Sequence, residues 1–495
     1  MKMVSSGVKS GLFMGFGSAL VLIGAIVVVY WPSLFMAQLQ RMMILSPTST
    51  SFGIWQETPI PMYLECYMFN ITNADKILAK EDVILKVEQF GPYVFRESHS
   101  KVNLTWNDNS TITFYNQRFW HFDQNLSKGS LSDEIISINP IIATVAYIVR
   151  HQPRVVKVSV DVFLRMFHDD LFLKANVSSW LFEGIEDPVL EMAQKFPDLP
   201  LNIPYDKFGW FYERNGSREF DGSFIMNTGA ADFSRLGNIE LWKYSPRTVF
   251  RDHCGDVKGS TGELWAPELG QPELFVFASD ICTYLTLHKK EDVLIENIEG
   301  VRYAANDSLF DNGHNYPAMA CYCDEVRDRD CVPPGALNVS LCRLGAPAFV
   351  SQPHFLDADP YYPSKIQGLD PQEEHRFSLA LEMFTGMPLA VSAQLQINLL
   401  IRDVWGISIN NVLPDPDTMV PMFWFRQELQ VTPDYAHMAR VALALRYYTP
   451  YALYALTVIG VVLILVGVVV LIRRLLNSSD TTPLIEESAS QENHQ

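Results

Sequence analysis

The sequence of 495 residues is long enough for several ordinary domains or for one large one. Hydrophobic residues make up 48% of it and charged residues 19%, a composition typical of folded rather than disordered chains. The formal net charge of −18 at pH 7 argues against nucleic acid as a partner, because a nucleic-acid-binding chain normally carries an excess of positive charge.

The first uncharged segment predicts a membrane span at residues 10–32, after a short tail at 1–9. Its apolar centre ends in Tyr30-Trp31, an aromatic pair typical of a bilayer surface. A cleaved signal peptide is the alternative, but its apolar region would hold only about 7–15 residues before a small-residue cleavage site. Glycine is common in membrane helices, yet three glycines at intervals of four residues would also form a smooth stripe for helix packing: Gly7, Gly11 and Gly15.

A second uncharged run predicts another span at residues 450–472, followed by a tail at 473–495. At the α-helical rise the run would cover about 33 Å, which is enough to cross a bilayer core. A buried core helix is the alternative, but such helices rarely lack a polar face over this length. Two spans place both tails on one side of the membrane, which we expect to be the cytosol, and residues 33–449 on the other.

Glycosylation sequons favour an extracytosolic location for residues 33–449, because glycans are added only in the secretory lumen. A single sequon arises easily by chance, and one at Asn477 falls in the tail, so the density of sites is the informative observation. The sequons of the middle segment begin at Asn70, Asn103, Asn109, Asn125, Asn176, Asn215, Asn306 and Asn338.

Six of the seven cysteines cluster within residues 254–342: Cys254, Cys282, Cys321, Cys323, Cys331 and Cys342. An even, clustered set in an extracytosolic segment predicts disulfides, although the sequence alone does not select a pairing. A zinc site is the alternative, but the last four cysteines lack the paired C-x2-C spacing of common structural zinc sites, so we expect no metal. The remaining cysteine, Cys66, is expected to be a buried free thiol.

The segment between the spans predicts one large, mainly antiparallel β domain, because β-branched and aromatic runs alternate closely with turn residues. The predicted strands include 83–87 and 93–95 on either side of a Gly91-Pro92 turn, and also 111–122, 274–277, 348–350 and 395–401. Two helices are predicted at 141–150 and 158–174. We find no linker or internal repeat that would divide the segment.

The predicted helices carry a local positive charge in an acidic domain, which favours a binding surface, although a solvated helix face is the more usual meaning of such charges. Phe163, Met166 and Phe167 fit either an exposed apolar patch or, as we expect, the core. The candidate ligand-binding residues are Arg150, His151, Arg154, Lys157, Phe163, Arg165, Phe167 and His168.

Motifs of enzyme chemistry are not found between the spans: there is no G-x-S-x-G elbow, H-E-x-x-H helix or phosphate loop. His253 and His354 lack a recognisable catalytic partner at motif spacing, so both are expected to be structural. We therefore expect neither an enzymatic activity nor a cofactor.

The C-terminal tail contains an acidic dileucine pattern, in which a carboxylate precedes two adjacent aliphatic side chains. Its residues are Asp480, Leu484 and Ile485. Clathrin adaptors read such patterns in cytosolic tails, so the tail predicts sorting to endosomes or lysosomes.

Several long motifs, in order along nearly the whole chain, resemble the class B scavenger receptor family. They are VEQFGPYVFRE at 87–97, SDIC at 279–282, ALNVSLC at 336–342, PHFL at 353–356, IQGLDP at 366–371 followed by His375, and LQIN at 395–398.

The resemblance implies an α+β membrane protein in which two transmembrane helices flank one antiparallel β-barrel-like ectodomain. An apical helical bundle at about 141–175 and an apolar tunnel would complete this fold. The resemblance also implies three disulfides, with Cys66 left free: Cys254–Cys321, Cys282–Cys342 and Cys323–Cys331.

The function implied by the resemblance is a receptor that binds lipid-bearing particles and transfers fatty acids, sterols or carotenoids to the membrane. The alternative is a sorting receptor that releases a protein ligand at low pH, with His151 and His168 titrating in the endosomal range. Homo-oligomers are compatible with either function. A two-span ligand-gated channel shares the topology, but the second span offers few polar groups for a pore.

One departure from the family pattern concerns the end of the second predicted helix. Lysines are expected there in relatives that bind modified lipoproteins, whereas this chain has Phe167-His168-Asp169-Asp170. An anionic ligand would therefore have to use the basic residues that precede this point.

Overall fold

The computed structural model describes residues 2–195, 204–267, 270–323 and 331–479. The chain divides into two compact units. The helical unit comprises Met1–Met42 with Asp434–Gln495, and the central unit comprises Met43–Pro433.

The helical unit is built from two long helices, α1 (Lys2–Met43) and α7 (Pro433–Ser479). Each contains a segment long and apolar enough to cross a membrane, Val8–Met43 and Pro433–Leu476. The predicted spans at 10–32 and 450–472 lie inside these segments. Both helices extend past the predicted spans, because helical hydrogen bonding continues through the polar residues next to an apolar run.

Small residues allow α1 and α7 to pack closely, but they are not the glycines of the predicted stripe. A Cβ atom on Gly17 would lie 2.7 Å from the carbonyl oxygen of Gly460, so the two backbones pass each other closely. The Ser10 hydroxyl also donates to a carbonyl of α7 at 3.0 Å. Around Gly11 and Gly15, by contrast, no atom lies within 4 Å of the position that a Cβ would take. The expected glycine stripe therefore does not form this helix pair.

The central unit combines short helices with many strands. Its helices are α2 (Thr50–Gln56), α3 (Ala74–Leu78), α4 (Pro140–Val149), α5 (Arg154–Arg165) and α6 (Pro188–Lys195). Its strands are β1 (Met62–Ile71), β2 (Leu85–Asn107), β3 (Thr111–Phe122), β4 (Glu134–Ile138), β5 (Phe172–Asn176), β6 (Ile185–Glu186), β7 (Lys207–Phe208), β8 (Ser223–Asn227), β9 (Ile239–Trp242), β10 (Glu273–Ala278), β11 (Thr283–Ile295), β12 (Ile298–Ala304), β13 (Leu337–Asn338), β14 (Ala348–Ser351), β15 (Ile366–Gln367), β16 (Ser378–Leu381), β17 (Pro388–Ile401) and β18 (Thr418–Gln430).

One large sheet dominates the central unit, with strand order β10-β11-β12-β16-β17-β18-β1-β2-β3-β8-β9 and neighbouring strands antiparallel. Residues 259 and 260 connect its two edge strands. The Ile239 N–H of β9 donates to Gly259 at 2.8 Å, and the Phe277 N–H of β10 donates to Ser260 at 2.8 Å. The sheet is therefore a nearly closed barrel, and the predicted α+β fold class is confirmed.

The Gly91-Pro92 pair lies inside β2 rather than in a turn between two strands, so this prediction is wrong. The register between β1 and β2 shifts between Cys66 and Met68, opposite this pair. Gly91 has a φ of 113°, which glycine adopts without the penalty that a Cβ would bring. The strand can therefore bulge at this point and continue in the sheet.

The second predicted helix, at 158–174, is also partly wrong. Helix α5 begins four residues earlier and ends at Arg165, and the last part of the predicted helix is strand β5, which pairs with β4. The Asp170 carboxylate accepts from the Phe172 N–H at 2.7 Å and turns the chain into this strand. A short apolar run fits a helix or a strand equally well, and here the partner strand decides.

The cysteines of the 254–342 region form three disulfides, Cys254–Cys321, Cys282–Cys342 and Cys323–Cys331. These are the pairs that the family resemblance implies. The remaining thiol, Cys66, is fully buried in β1, and burial together with the neighbouring Glu65 carboxylate raises its pKa.

Candidate functional site

Helix α4 is a buried platform. The Asn139 side chain accepts hydrogen bonds from the N–H groups of Ile141 and Ile142 at 2.9 and 3.3 Å, and Pro140 occupies the first helical position. Nine of its ten residues are buried, which fits the continuous apolar sequence PIIATVAYIV. The prediction of a helix at 141–150 is confirmed to within one residue at each end.

Helix α5 follows directly and exposes an apolar face to solvent. Val155 is 76% exposed, Val162 59% and Met166 71%, and Val158 on the same side is also exposed. The spacing of three, four and four residues places these side chains in one stripe along the helix. We call this stripe the apical apolar face, after the position that the family resemblance implies for this helix. Leu164, on the opposite side, is fully buried and holds the helix to the core.

A distant loop at 402–413 fixes the position of α5. The Asp161 carboxylate accepts from the Ile409 N–H at 3.0 Å and from the Ser408 hydroxyl at 2.6 Å. Arg165 donates to the same hydroxyl at 2.9 Å. This loop was not predicted, because these partners lie more than 240 residues apart in the sequence and no local pattern connects them.

The loop also contributes Trp405, an exposed aromatic residue on which the Arg154 guanidinium stacks at 3.7 Å from the ring centroid. Stacking of this kind holds a guanidinium over the flat face of a ring and leaves its edge free to bind an anion. Trp405 thus belongs to the candidate site, although no local sequence pattern pointed to it.

The remaining basic residues differ in how they are held. Arg150 stacks over Tyr147 at 3.6 Å and donates to its carbonyl at 2.7 Å, while Lys157 donates to the Arg150 carbonyl at 3.3 Å. Arg165 pairs with Asp161 at 3.4 Å. His151, between the helices, is exposed. The predicted basic residues are therefore brought together around α5, but the charge of Arg165 is largely balanced.

His168 lies just after α5, between residues that precede α4 and α6. Its Nε2 lies 3.3 Å from the Asp187 carboxylate, which also caps α6 by accepting from the Val189 N–H at 2.8 Å. Its Nδ1 lies 3.5 Å from the side-chain nitrogen of Asn139, the residue that caps α4. His168 therefore lies next to the capping residues of both α4 and α6.

The two phenylalanines of the candidate set form an edge-to-face pair with ring centroids 5.3 Å apart. Phe163 is half-buried against the core, as expected, whereas Met166 and Phe167 are exposed, so the core position expected for these two residues is wrong. Phe167 therefore adds to the apolar surface of the apical region.

Zinc chemistry gains no support from the cysteine cluster. His253 lies next to Cys254 and Cys321, and the ligand atoms of these residues are within 4.8 Å of one another. Both sulfur atoms belong to one disulfide, so neither is a thiolate that could bind the metal.

The glycosylation sites remain predictions, and their asparagines differ in exposure. Asn103, Asn109, Asn125 and Asn215 are exposed, whereas Asn70, Asn176, Asn306 and Asn338 are half-buried. The sorting residues Asp480, Leu484 and Ile485 lie outside the described residues.

Comparison with known proteins places the chain in a family. The CD36 family model matches residues 15–471. Scavenger receptor class B member 1 of Sus scrofa is 32% identical over 467 residues, which cover 92% of this chain and 88% of that protein. Protein peste of Drosophila melanogaster is 33% identical over 414 residues, with coverages of 82% and 72%. Lysosome membrane protein 2 of Homo sapiens is 30% identical over 374 residues, or 74% of each chain. The class B scavenger receptor resemblance is thereby confirmed, and the chain belongs to the CD36 family.

Proposed function

We propose that the chain is a receptor that binds lipid-bearing particles at its apical surface and transfers their lipids to the membrane through the barrel interior. Fatty acids, sterols and carotenoids are the expected lipids. The observation that carries the proposal is the apical apolar face of Val155, Val158, Val162 and Met166, which is exposed on a helix held rigidly by Asp161.

The chemistry of this surface fits a lipid surface. Apolar side chains that are exposed to water gain free energy when they enter the boundary between head groups and acyl chains, and neighbouring cations attract phosphates. Arg154 and Lys157 lie on the same helix as the apolar face. Protein surfaces without a partner rarely expose so regular an apolar stripe.

Transfer through the protein also has a physical reason. Moving one methylene group from lipid into water costs about 0.8 kcal/mol, so a chain of about sixteen methylenes faces a barrier above about 10 kcal/mol in water. An interior route removes most of this cost. The proposal assigns the chain no enzymatic reaction and no cofactor.

Particle binding is tested by placing a charge on the apical apolar face. We expect Val162→Glu in the full-length chain to reduce binding of fluorescent phospholipid vesicles at least about tenfold, because the carboxylate would have to enter the lipid. The matched control is Val83→Glu, at another highly exposed valine outside the apical region. Equal binding by both variants would contradict the proposal.

A sorting receptor that releases a protein ligand in acid is the second candidate function, and the His168 junction favours it. When the imidazole is neutral, Nδ1 can accept from the Asn139 amide. A second ring proton would place two donors face to face while strengthening attraction to Asp187. Protonation would thereby shift the caps of α4 and α6 relative to each other.

This second function is tested by capturing protein ligands on the apical surface at pH 7 and pH 5. We expect His168→Gln to remove the pH dependence of capture. A second variant, His151→Gln, tests whether an exposed histidine of the same region contributes to this dependence. Capture that is equal at both pH values in the wild-type chain would exclude release by acidification.

We further propose that both tails are cytosolic, that residues 33–449 are extracytosolic, and that clathrin adaptors bind the tail to direct the chain between the plasma membrane and endosomes or lysosomes. A channel is disfavoured, because the Thr457 hydroxyl donates to the Leu453 carbonyl of its own helix at 2.9 Å rather than lining a pore. The proposed topology, with both tails in the cytosol, is tested by glycosidase treatment, which should reduce the mass of the chain if the sequons carry glycans. Protection of a tail epitope from external protease provides a second measurement.

A further inference from the structure

Two sequence motifs, at 353–356 and at 366–371 with the histidine that follows it, meet against the large sheet. The imidazole rings of His354 and His375 stack there, with centroids 4.9 Å apart and planes inclined by 18°. The two residues are only 4% and 8% exposed. Two side chains that gain a positive charge in acid are thus in contact at a buried position.

Residues 366–376 lie across the sheet as a strap, which we call the histidine strap. Its first two residues are strand β15, which pairs with β2. At its other end, Arg376 donates to the Asp357 carboxylate. Between these ends, residues 370–374 are all exposed to solvent. The strap is therefore fixed at both ends, whereas its middle has few buried contacts and can open at a low cost in free energy.

His354 holds the middle of the strap to the sheet. Its Nδ1 accepts from the Asp370 N–H of the strap at 3.1 Å, and its Nε2–H donates to the Gln89 side chain of β2 at 2.7 Å. Its own backbone N–H donates to the Gln396 side chain of β17 at 2.7 Å. The contact with the strap requires a neutral imidazole, because a protonated Nδ1 cannot accept.

His375 is the buried residue of the strap itself. Its Nδ1 accepts from the Gln372 N–H at 3.1 Å, and its ring lies 5.2 Å from the Trp424 ring of β18. Trp424 is 3% exposed, and its other partner is Tyr67 of β1, on which it stacks at 3.9 Å. The strap therefore covers an aromatic pair on the sheet.

A proton on either Nδ1 would place two donors face to face, and protonation of both rings would place two positive charges in contact. The folded chain resists both events. Burial, assisted by His375, lowers the pKa of His354 to about 4, and burial also lowers the pKa of His375. The strap contacts are thus complete above pH 6.5 and are lost as the pH falls from 6.5 towards about 4.

The charged groups around the two rings partly oppose each other. The Asp370 carboxylate raises the pKa of both histidines, and Glu374 raises that of His375. Arg426 of β18 lowers the pKa of His375 and is itself paired with Glu65 of β1 at 2.6 Å. The carboxylates do not overcome burial, because both pKa values remain lowered.

We propose that the histidine strap opens in acid: when both imidazoles are protonated, residues 369–375 leave the sheet and uncover Trp424, while β15 and Arg376 hold the two ends. The chain then presents an aromatic surface in acidic compartments that is covered at neutral pH. This opening does not depend on which ligand the apical apolar face binds.

The expected size of the effect follows from proton binding. At pH 5 a free imidazole with a pKa of 6.5 is protonated about thirty times more often than it is neutral. In the closed strap His354 stays mostly neutral at this pH. The ratio of open to closed strap therefore rises about thirtyfold through His354 alone, and further through His375.

Hydrogen–deuterium exchange of the full-length chain in nanodiscs at pH 7 and pH 5 tests the opening, with protection factors corrected for the pH dependence of intrinsic exchange. We expect peptides that cover 369–376 to lose protection at least about thirtyfold at pH 5 and to exchange well before peptides of β1 and β18. His375→Gln keeps an acceptor for the Gln372 N–H but gains no charge, so its loss should be at least about threefold smaller. The matched control is His121→Gln, at an exposed histidine, which should behave as the wild-type chain.

Two results would overturn the inference. If strap peptides and those of β1 and β18 lost protection in the same proportion at pH 5, the strap would open only when the whole central unit unfolds. An equal loss in His375→Gln and wild type would show that the paired histidines do not act together. If His375→Gln does not fold, the comparison of the strap with β1 and β18 in the wild-type chain decides the question alone.

Discussion

Acid should destabilise the central unit through His354, which is only 4% exposed and fully hydrogen-bonded in its neutral form. Its Nδ1 accepts from the Asp370 N–H at 3.1 Å, so this nitrogen carries no proton. Its Nε2–H donates to the Gln89 side chain at 2.7 Å. Burial, assisted by the nearby His375 and opposed by Asp370, lowers the pKa of His354 from 6.5 to about 4.

The sign of the effect follows from proton binding by the two states. Above pH 6.5 the imidazole is neutral in both states and the full stability is present. As the pH falls from 6.5 towards about 4, the unfolded chain binds a proton and the folded chain does not, so stability is lost across this window. At about 1.4 kcal/mol per pH unit, the loss at pH 5 is about 2 kcal/mol from this residue alone.

Urea unfolding of the full-length chain in detergent, followed by tryptophan fluorescence at pH 7, 6 and 5, measures this loss. We expect His354→Gln to be less stable at pH 7 but to lose about 2 kcal/mol less than the wild-type chain between pH 7 and pH 5. His121→Gln, at an exposed strand position, is the control and should keep the wild-type slope. Equal slopes for His354→Gln and wild type would refute the reasoning.

Three further predictions concern other parts of the chain. Gly17→Leu should prevent α1 and α7 from packing and reduce the folded fraction in size-exclusion chromatography, whereas Gly15→Leu, which points into open space, should not. Trp405→Ala removes the ring on which an arginine of α5 stacks and should weaken vesicle binding about threefold in flotation assays; wild-type binding would exclude a role for the ring. Leu484→Ala with Ile485→Ala should move the chain to the cell surface, as measured by surface biotinylation, and an unchanged distribution would show that the dileucine pattern is not read.

Features set by local patterns were predicted well from the sequence. The predicted strand at 111–122 coincides with β3, and the apolar runs identified both long helices. Alternation of side chains along a strand and the length of an apolar helix are properties of a short segment, so they are visible without the rest of the chain. The cysteine cluster likewise indicated disulfides, but their pairing came from the family resemblance.

Features set by distant contacts were missed or misassigned. The contact between Asp161 and Ile409 positions α5, and no local pattern indicates it. Strand β5 replaced the end of a predicted helix because β4 was available as a partner. In the helical unit, Gly17 rather than Gly15 lies at the contact between the helices, because the side of α1 that carries Gly17 faces α7.

The sequence by itself determined that two apolar helices frame a β-rich segment with paired cysteines, because these conclusions depend only on composition, periodicity and spacing. Only the tertiary structure decided which residues are available to a ligand. The exposure of Val162 and the stacking of Arg154 on Trp405 depend on what the neighbouring elements cover or leave open. A side chain has the same chemistry in any sequence, but its partners in the folded chain decide whether that chemistry is already satisfied.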